Sequence, residues 1–359
     1  MEINQLWSQF QADARTSYHL YSREVDFTRP QEVHQGRHFF NLVRQFFWAV
    51  LEQLSPARRV LLLLALVLIV FSGEAAWHDR SGYLHVFNFD YRFLGALVLL
   101  LLLFLEVADR VVMKRDLQIA REIQTWLLPS RPPAVPGLDI AFAARPANTV
   151  AGDYYDVFLR PSTNSSSPAF LFAVADVAGK SIPAALLMAS FQASLKTVAA
   201  THGSIKELVD SMNDYVCTNS QGGRRFITAF IAEFIPEERS FTFINAGHNP
   251  PLLCRRSGTI ERLEAGGLPL GIQPRAEYQT GRVTLESGDW LAIFTDGLVE
   301  AANPGGEEYG EQRVISILQS AGSSLATNVV SQIMVGLDLF VGDNVPLADD
   351  VTCVLVHVV

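Results

Sequence analysis

Two stretches early in the chain carry no charge and no polar face. One runs from Val60 to Gly73, and the other, Phe93 to Leu105, reads Phe-Leu-Gly-Ala-Leu-Val-Leu-Leu-Leu-Leu-Leu-Phe-Leu. A helix that is apolar on every side does not suit a globular surface. Their 14 and 13 residues fall short of the roughly 17–25 that cross a bilayer. Ala75, Ala76 and Trp77 extend the first, however, and Val107, Val111 and Val112 the second. The pattern predicts a two-helix transmembrane hairpin over residues 58–112 with a short external loop at 74–92; a pair of buried core helices is the weaker reading. Arg58 and Arg59 precede the hairpin, and Arg110, Lys114, Arg115 and Arg121 follow it, while only Arg80 and Arg92 lie between. The positive-inside bias then puts both termini in the cytoplasm of a multi-pass cell-membrane protein. The first apolar run begins too late for a cleavable signal peptide.

Residues 1–57 read as a cytosolic amphipathic region, with Phe39, Val43, Phe46, Phe47, Val50 and Leu54 on one helical face. Past the hairpin, a helical linker over 113–136 ends at Pro129 and Pro132-Pro133. Along it Leu105, Val112, Ile119 and Trp126 recur every seven residues, a weak coiled-coil row that leaves a homodimer open. From residue 137 to 359 short β-rich runs take over, at 138–144, 169–175, 226–235, 241–245, 251–255, 282–285, 290–295 and 351–358. Helical periods fall at 182–201, 204–220, 308–319 and 326–339. Strands in pairs broken by pairs of helices predict an α+β sandwich, not a doubly wound parallel sheet. The Ser162–Ser167 stretch reads as a hairpin loop.

Composition narrows the function. The chain has 359 residues, 49% of them hydrophobic, with a net charge of −9 and no basic block. Nucleic acid is therefore not an expected partner. The cysteines, Cys217, Cys254 and Cys353, are three in number and far apart, which argues for reduced thiols and against a disulfide framework.

The chemistry-bearing feature is a set of aspartates at predicted strand ends: Asp153, Asp176, Asp296 and Asp349. A carboxylate there must be solvated, paired or metal-bound, because an isolated buried charge is too costly. Several together repel one another unless a hard cation sits between them, and oxygen donors of this kind suit Mg²⁺ or Mn²⁺. For any one of them alone, a turn or cap is the ordinary explanation.

Five motifs stand in order along the chain. They are Gly152-Asp153-Tyr154-Tyr155-Asp156, Ala175-Asp176-Val177-Ala178-Gly179-Lys180 with its sequel 182–188, Asn245-Ala246-Gly247-His248-Asn249-Pro250, Phe294-Thr295-Asp296-Gly297, and Asp349-Asp350-Val351-Thr352. With the lead-in at 119–129, they resemble the SpoIIE-type branch of the PPM (protein phosphatase 2C) superfamily over about residues 117–359. The resemblance implies an α-β-β-α sandwich of two antiparallel sheets flanked by helices, with two Mn²⁺ or Mg²⁺ ions at one end. It implies that Asp176 bridges both ions and the Val177 carbonyl helps to hold one. Asp296 and Asp349 would bind the second, and Asp153 would approach the first. It further implies hydrolysis of a phosphoserine or phosphothreonine. The substrate would be a cytosolic regulatory protein of the anti-sigma-antagonist type, in a sigma-factor or partner-switching pathway. A catalytically inactive scaffold that binds the phosphoprotein is the alternative.

Three side chains near these motifs carry separate expectations. Gly179-Lys180-Ser181 ends like a P-loop, but Val174 stands where that pattern needs glycine, so a nucleotide triphosphatase is rejected; Lys180 reads as a solvated loop lysine. His248 is a candidate proton donor to the leaving group, against the commoner case of a locally hydrogen-bonded turn histidine. Arg145 is a candidate phosphate-gripping arginine by position alone, and Asp156 and Asp350 read as supporting residues.

Overall fold

The computed structural model describes residues 54–359 apart from 72, 79–83, 161–167, 202, 221–224 and 343–344, together with Trp48 and Leu51. Most of the expected N-terminal amphipathic region and the Ser162–Ser167 loop lie outside the described residues. The chain divides into two compact units, Met1–Met113 and Lys114–Val359.

In the first unit, helix α1 (Pro56–Val70) leads into strands β1 (Gly73–His78) and β2 (Leu84–Phe89), followed by the start of helix α2 (Arg92–Leu127). The two strands pair antiparallel, so the segment expected as a loop is a β-hairpin. Of α1 only Ala65 is buried; Val60, Leu63, Leu64, Val67 and Val70 are exposed, as are Phe93, Leu97, Leu100, Leu103 and Phe104 of α2. The helices meet at small residues, since a methyl group on Gly95 would lie 2.9 Å from the Ala65 carbonyl oxygen. Charge collects at one end, where Arg58 pairs with Asp109 at 2.7 Å and with Glu106 at 3.4 Å.

The second unit is a four-layer sandwich. Its first sheet runs β10-β7-β6-β5-β4, with β11 beside β7; its second runs β3-β13-β12-β8-β9. These are β3 (Leu138–Arg145), β4 (Tyr154–Arg160), β5 (Ala169–Val177), β6 (Ile227–Ile235), β7 (Ser240–Ala246), β8 (Leu252–Cys254), β9 (Ile260–Arg262), β10 (Gly266–Gly267), β11 (Gly281–Thr284), β12 (Trp290–Phe294) and β13 (Val351–Val358). Every pairing is antiparallel except β10 with β7. Helices α3 (Ile182–Ala199) and α4 (Ile205–Asn219) cover the first sheet. Helices α6 (Glu311–Ser320) and α7 (Ala326–Val341) cover the second, and the short α5 (Asp296–Val299) follows β12.

Period-2 alternation builds these layers. In β5, Leu171, Ala173 and Ala175 pack outward on Met188, Phe191 and Leu195 of α3. Phe170, Phe172 and Val174 pack inward with Leu291, Ile293, Val354 and Val356 of the opposite sheet. Among the described residues one helix, α3, is long and apolar enough to cross a membrane by length and composition. Its buried face of Ala184, Leu187, Met188, Phe191 and Leu195 makes it a core helix of this domain. Helix α4 starts in a capping box: the Glu207 N–H donates to Ser204 Oγ and the Ser204 N–H donates to Glu207 Oε2, each at 3.2 Å.

Strand β4 escaped the sequence pattern because charged residues interrupt it. Its buried Asp156 accepts from the Tyr154 hydroxyl at 3.2 Å and pairs with Lys196 at 2.8 Å, and its buried Arg160 pairs with Glu233 at 2.6 Å. These partners remove the cost that makes such residues look like loop. All three cysteines are free thiols.

Candidate active site

Strand parity decides which polar side chains enter the gap between the sheets. Asp176 follows Phe170, Phe172 and Val174 on the inward face of β5, at the strand's C-terminal end. The inward parity of β12, set by Leu291 and Ile293, passes to Thr295; that of β13, set by Val354 and Val356, passes back to Thr352 and Asp350. Val157 of β4 does the same for Asp153. All of these positions fall at one end of the sandwich.

The back of this end is a closed hydrogen-bond network. Thr295 Oγ1 donates to Asp153 Oδ2 at 2.9 Å and accepts from the Thr352 N–H at 3.0 Å, which ties three strands together. Asp350 accepts the Ala147 and Gly152 N–H groups, one on each oxygen, both at 2.7 Å. The Ala151 N–H donates to Gln124 Oε1 at 2.9 Å, and Gln124 Nε2 donates to the Ala151 carbonyl at 2.7 Å. The loop ahead of Asp153 is thereby held close to β5: a methyl group on Gly152 would lie 3.3 Å from the Val177 carbonyl oxygen and 3.7 Å from Asp176 Oδ1. On the other sheet, a methyl on Gly297 would meet the Asp350 carbonyl oxygen at 2.1 Å, so only glycine lets the Asp296 turn sit against the Asp349–Asp350 loop.

At the mouth the carboxylates act on one another. Burial pushes the Asp176 carboxyl up to about 7, and Asp296, Asp349 and Asp350 push the same way. Asp296 is raised by burial and then by Asp349, with Lys180 opposing. Asp153, 4% exposed, is raised well above the carboxylate range by burial and by Asp176. Glu300, beyond α5, is raised by burial and by Asp296, and adds a further negative charge. Lys180 is not a free loop lysine: its ammonium pairs with Asp349 Oδ2 at 3.0 Å and donates to the Ala348 carbonyl.

Among the described residues no group of three or more Asp, Glu, His or Cys side chains is close-set enough to enclose an ion. The reason is visible in the charges. Like carboxylates repel, and Asp349 is drawn toward Lys180. The donor set nevertheless fits a hard divalent cation. Asp176, Asp296, Asp349 and the Val177 carbonyl offer only oxygen, and the mutual elevation of the carboxyls is what a cation between them would reverse.

His248 and Arg145 stand otherwise than their sequence positions suggested. His248 is 5% exposed; its ring Nδ1 lies 3.1 Å from Thr228 Oγ1, and its N–H donates to Asn245 Oδ1 at 2.7 Å. Burial holds the imidazole down to about 4, which favours its neutral form near pH 7. Arg145 is bidentate on Asp338 of α7, with Nη2 to Oδ2 at 3.0 Å, which lowers that carboxyl and leaves the guanidinium committed. Thr295, Gln124 and Glu300 went unnoticed in the sequence. Thr295 had the clearest signal, a hydroxyl in the inward parity of a wholly apolar strand.

Comparison with known proteins agrees with this geometry. The family model described as Stage II sporulation protein E (SpoIIE) matches residues 166–359. The chain is 32% identical over 194 residues to the phosphoserine phosphatase RsbU of Bacillus subtilis (strain 168), covering 54% of this chain and 56% of that protein. To protein IcfG of Synechocystis sp. it is 26% identical over 278 residues, 70% of this chain and 43% of the relative. It thus spans about half the length of the curated relatives it matches. Among solved structures, the SiaA-PP2C domain of Pseudomonas aeruginosa covers 70% of this chain and 98% of its own length, with a TM-score of 0.59 at 19% identity. The PP2C domain of SpoIIE from Bacillus subtilis matches with a TM-score of 0.52 at 17% identity, covering 61% of this chain and 63% of that one. Two sheets between helix pairs, with inward aspartates gathered at one end and a family model matching over half the chain, place this protein in the SpoIIE family, the SpoIIE-type branch of the PP2C-like phosphatases.

Proposed function

We propose that this chain is a membrane-anchored, metal-dependent serine/threonine protein phosphatase acting on a phosphorylated cytosolic regulatory protein. The observation that carries the reading is the gathering of Asp176, Asp296 and Asp349 at one end of the sandwich, where burial and the neighbouring carboxylates raise Asp176. A protein tolerates such clustering where a ligand compensates it. Similarity to a phosphoserine phosphatase supports the same chemistry. The sigma-factor or partner-switching context, with an anti-sigma-antagonist substrate, follows from the family resemblance.

In this reading Asp176 and the Val177 carbonyl would hold one ion, and Asp296 and Asp349 a second. Asp153, tied to Thr295, fixes the approach of the 150–153 loop to the first ion. When bound, Mn²⁺ or Mg²⁺ supplies charge neutralisation at the phosphoryl oxygens and a nucleophile at neutral pH. His248 fixes the turn after β7 through Asn245 and Thr228, with its imidazole buried.

The exposed apolar faces of α1 and of residues 93–107 support the anchor, because an apolar patch of that extent needs lipid or protein against it. Arg58, Arg59, Arg110, Lys114 and Arg115 would then mark the cytoplasmic side, with the phosphatase domain there. The exposed Val112, Ile119 and Trp126 support pairing of two linkers in a homodimer.

The deciding experiment is turnover of an aryl phosphate and a phosphoserine protein by the purified chain, with and without Mn²⁺, beside Asp176→Asn. Metal-dependent turnover that the substitution removes is expected. A folded, Mn²⁺-binding chain that releases no phosphate from either substrate would make it a phosphoprotein-binding scaffold.

A further inference from the structure

A phosphomonoester brings about two negative charges of its own to a site already lined with carboxylates. Lys180 is engaged with Asp349, and Arg145 with Asp338. At the same end of the sandwich no carboxylate partner is seen among the described residues for Arg121, which lines the cavity of Asp153 and Asp350, nor for Arg225. The β5–β6 register carries Arg225 there. Asp176 pairs with Thr228, Val177 with Ile227, and the Ala178 N–H donates to the Phe226 carbonyl at 2.9 Å. The next residues outward are Gly179 on one side and Arg225 on the other.

The side chain lies over that glycine. A methyl group on Gly179, whose φ of +113° already calls for glycine, would stand 3.0 Å from Arg225 Nη1, so the guanidinium lies against the loop leading from Asp176 to α3. Arg225 is half-buried. A planar fork with parallel donors matches phosphoryl oxygens better than an ammonium does.

We infer that Arg225 is a substrate-binding residue that takes the phosphoryl oxygens of the phosphoserine or phosphothreonine at the rim of the site, a role that rests on the phosphatase reading above. Arg225, lying against Gly179, then provides the grip. This assigns the phosphate-gripping role to the end of β6, where no sequence motif pointed.

The test uses the full chain in detergent or lipid, loaded with Mn²⁺, on an aryl phosphate and on a phosphoserine peptide, with inorganic phosphate as competing product. A charge-assisted hydrogen-bond pair lost from binding should raise KM for both substrates about 10-fold or more in Arg225→Ala. The inhibition constant of inorganic phosphate should rise in parallel, while Tm and Mn²⁺ affinity hold. Arg225→Lys should recover part of the loss. Unchanged KM and phosphate inhibition in Arg225→Ala would overturn the inference. So would a loss confined to kcat and Tm, which marks a structural prop, or a loss confined to the peptide, which marks a contact to protein and not to phosphate. A wild-type chain that turns over neither substrate would remove the phosphatase reading itself, and this role with it.

Discussion

Asp349 and Asp350 are neighbours in the chain and opposites in treatment. Asp350 turns inward to the back of the site, where the Ala147 and Gly152 N–H groups each bond one of its oxygens. Asp349 stays at the mouth beside Asp176 and Asp296, and the protein offers it the ammonium of Lys180. The back is braced by backbone donors, although burial still raises Asp350. At the mouth, carboxylates raise one another, a cost that only a ligand from outside relieves. Local hydrogen bonding thus separates residues that hold geometry from residues proposed to hold metal, although all are aspartates at strand ends.

The largest effects should follow from breaking the mouth. Asp176→Asn, and nearly as severely Asp296→Asn, removes a charge from the proposed ion sites. Since loss of a mere supporting residue weakens metal binding by about 10–100-fold, loss of a ligand should exceed about 100-fold in Mn²⁺-dependent turnover. A chelator should abolish wild-type activity, and Mn²⁺ or Mg²⁺ should restore it. Wild-type rates in the double variant, or activity that survives chelation, would place the chemistry elsewhere.

Asp350→Asn tests the brace, and its expected pattern is reversed. An amide has one acceptor oxygen, so it would turn its NH₂ toward either the Ala147 or the Gly152 N–H and leave that donor unpaired. The expected cost is about 1–3 kcal/mol of stability, read as a lower Tm, with about tenfold weaker Mn²⁺ affinity and a largely retained kcat at saturating metal. A kcat loss as deep as that of Asp176→Asn would move Asp350 into the metal-holding set.

What the sequence made legible follows the same division. Asp176 and Asp296 stood out because each ends an apolar run, and the helices at 182–201 and 204–220 showed in their helical periods. The brace was silent. Gln124 meets Ala151 across 27 positions, and Thr295 meets Asp153 across 142. No local pattern records such contacts. The ion pair of Arg145 was silent for the same reason, its partner Asp338 lying 193 residues away. Strand β4 was hidden by Asp156 and Arg160, whose partners belong to α3 and β6.

The mouth should also reveal itself through pH, with a smaller effect. In the metal-free protein the Asp176 carboxyl sits at about 7, above its ordinary value of 3.8. The folded state then binds the proton more tightly than the unfolded chain. Its contribution to stability is complete below about pH 4 and is lost as pH rises through about 7. Tm measured in chelator should therefore fall across that window, and the gap between metal-loaded and metal-free Tm should widen. A metal-free Tm flat from about pH 4 to about pH 8 would show that the carboxylates at the mouth do not strain the fold.

The smallest effect is expected where the linker helix touches the brace. Gln124 lies on the Lys114–Leu127 part of α2, and its amide closes a two-bond ring with the backbone of Ala151, as a neighbouring strand would. Gln192 of α3 donates to the Leu127 carbonyl at 3.3 Å, so the end of α2 is tied both to the loop before Asp153 and to the helix after Asp176. Gln124→Leu keeps the volume but leaves one N–H and one carbonyl unpaired beside a loop whose other ties, Gly152 to Asp350 and Asp153 to Thr295, remain. The loop should loosen without leaving its place. A few-fold weaker Mn²⁺ affinity is expected, at the low end of outer-residue effects, with faster amide exchange at Ala151 and unchanged kcat at saturating metal. If Mn²⁺ titration and Ala151 exchange both match wild type, the end of α2 is a spacer, and the Asp153 loop takes its position from the sheets alone. If both shift together, the helix that leads from the first unit sets how readily the site takes metal.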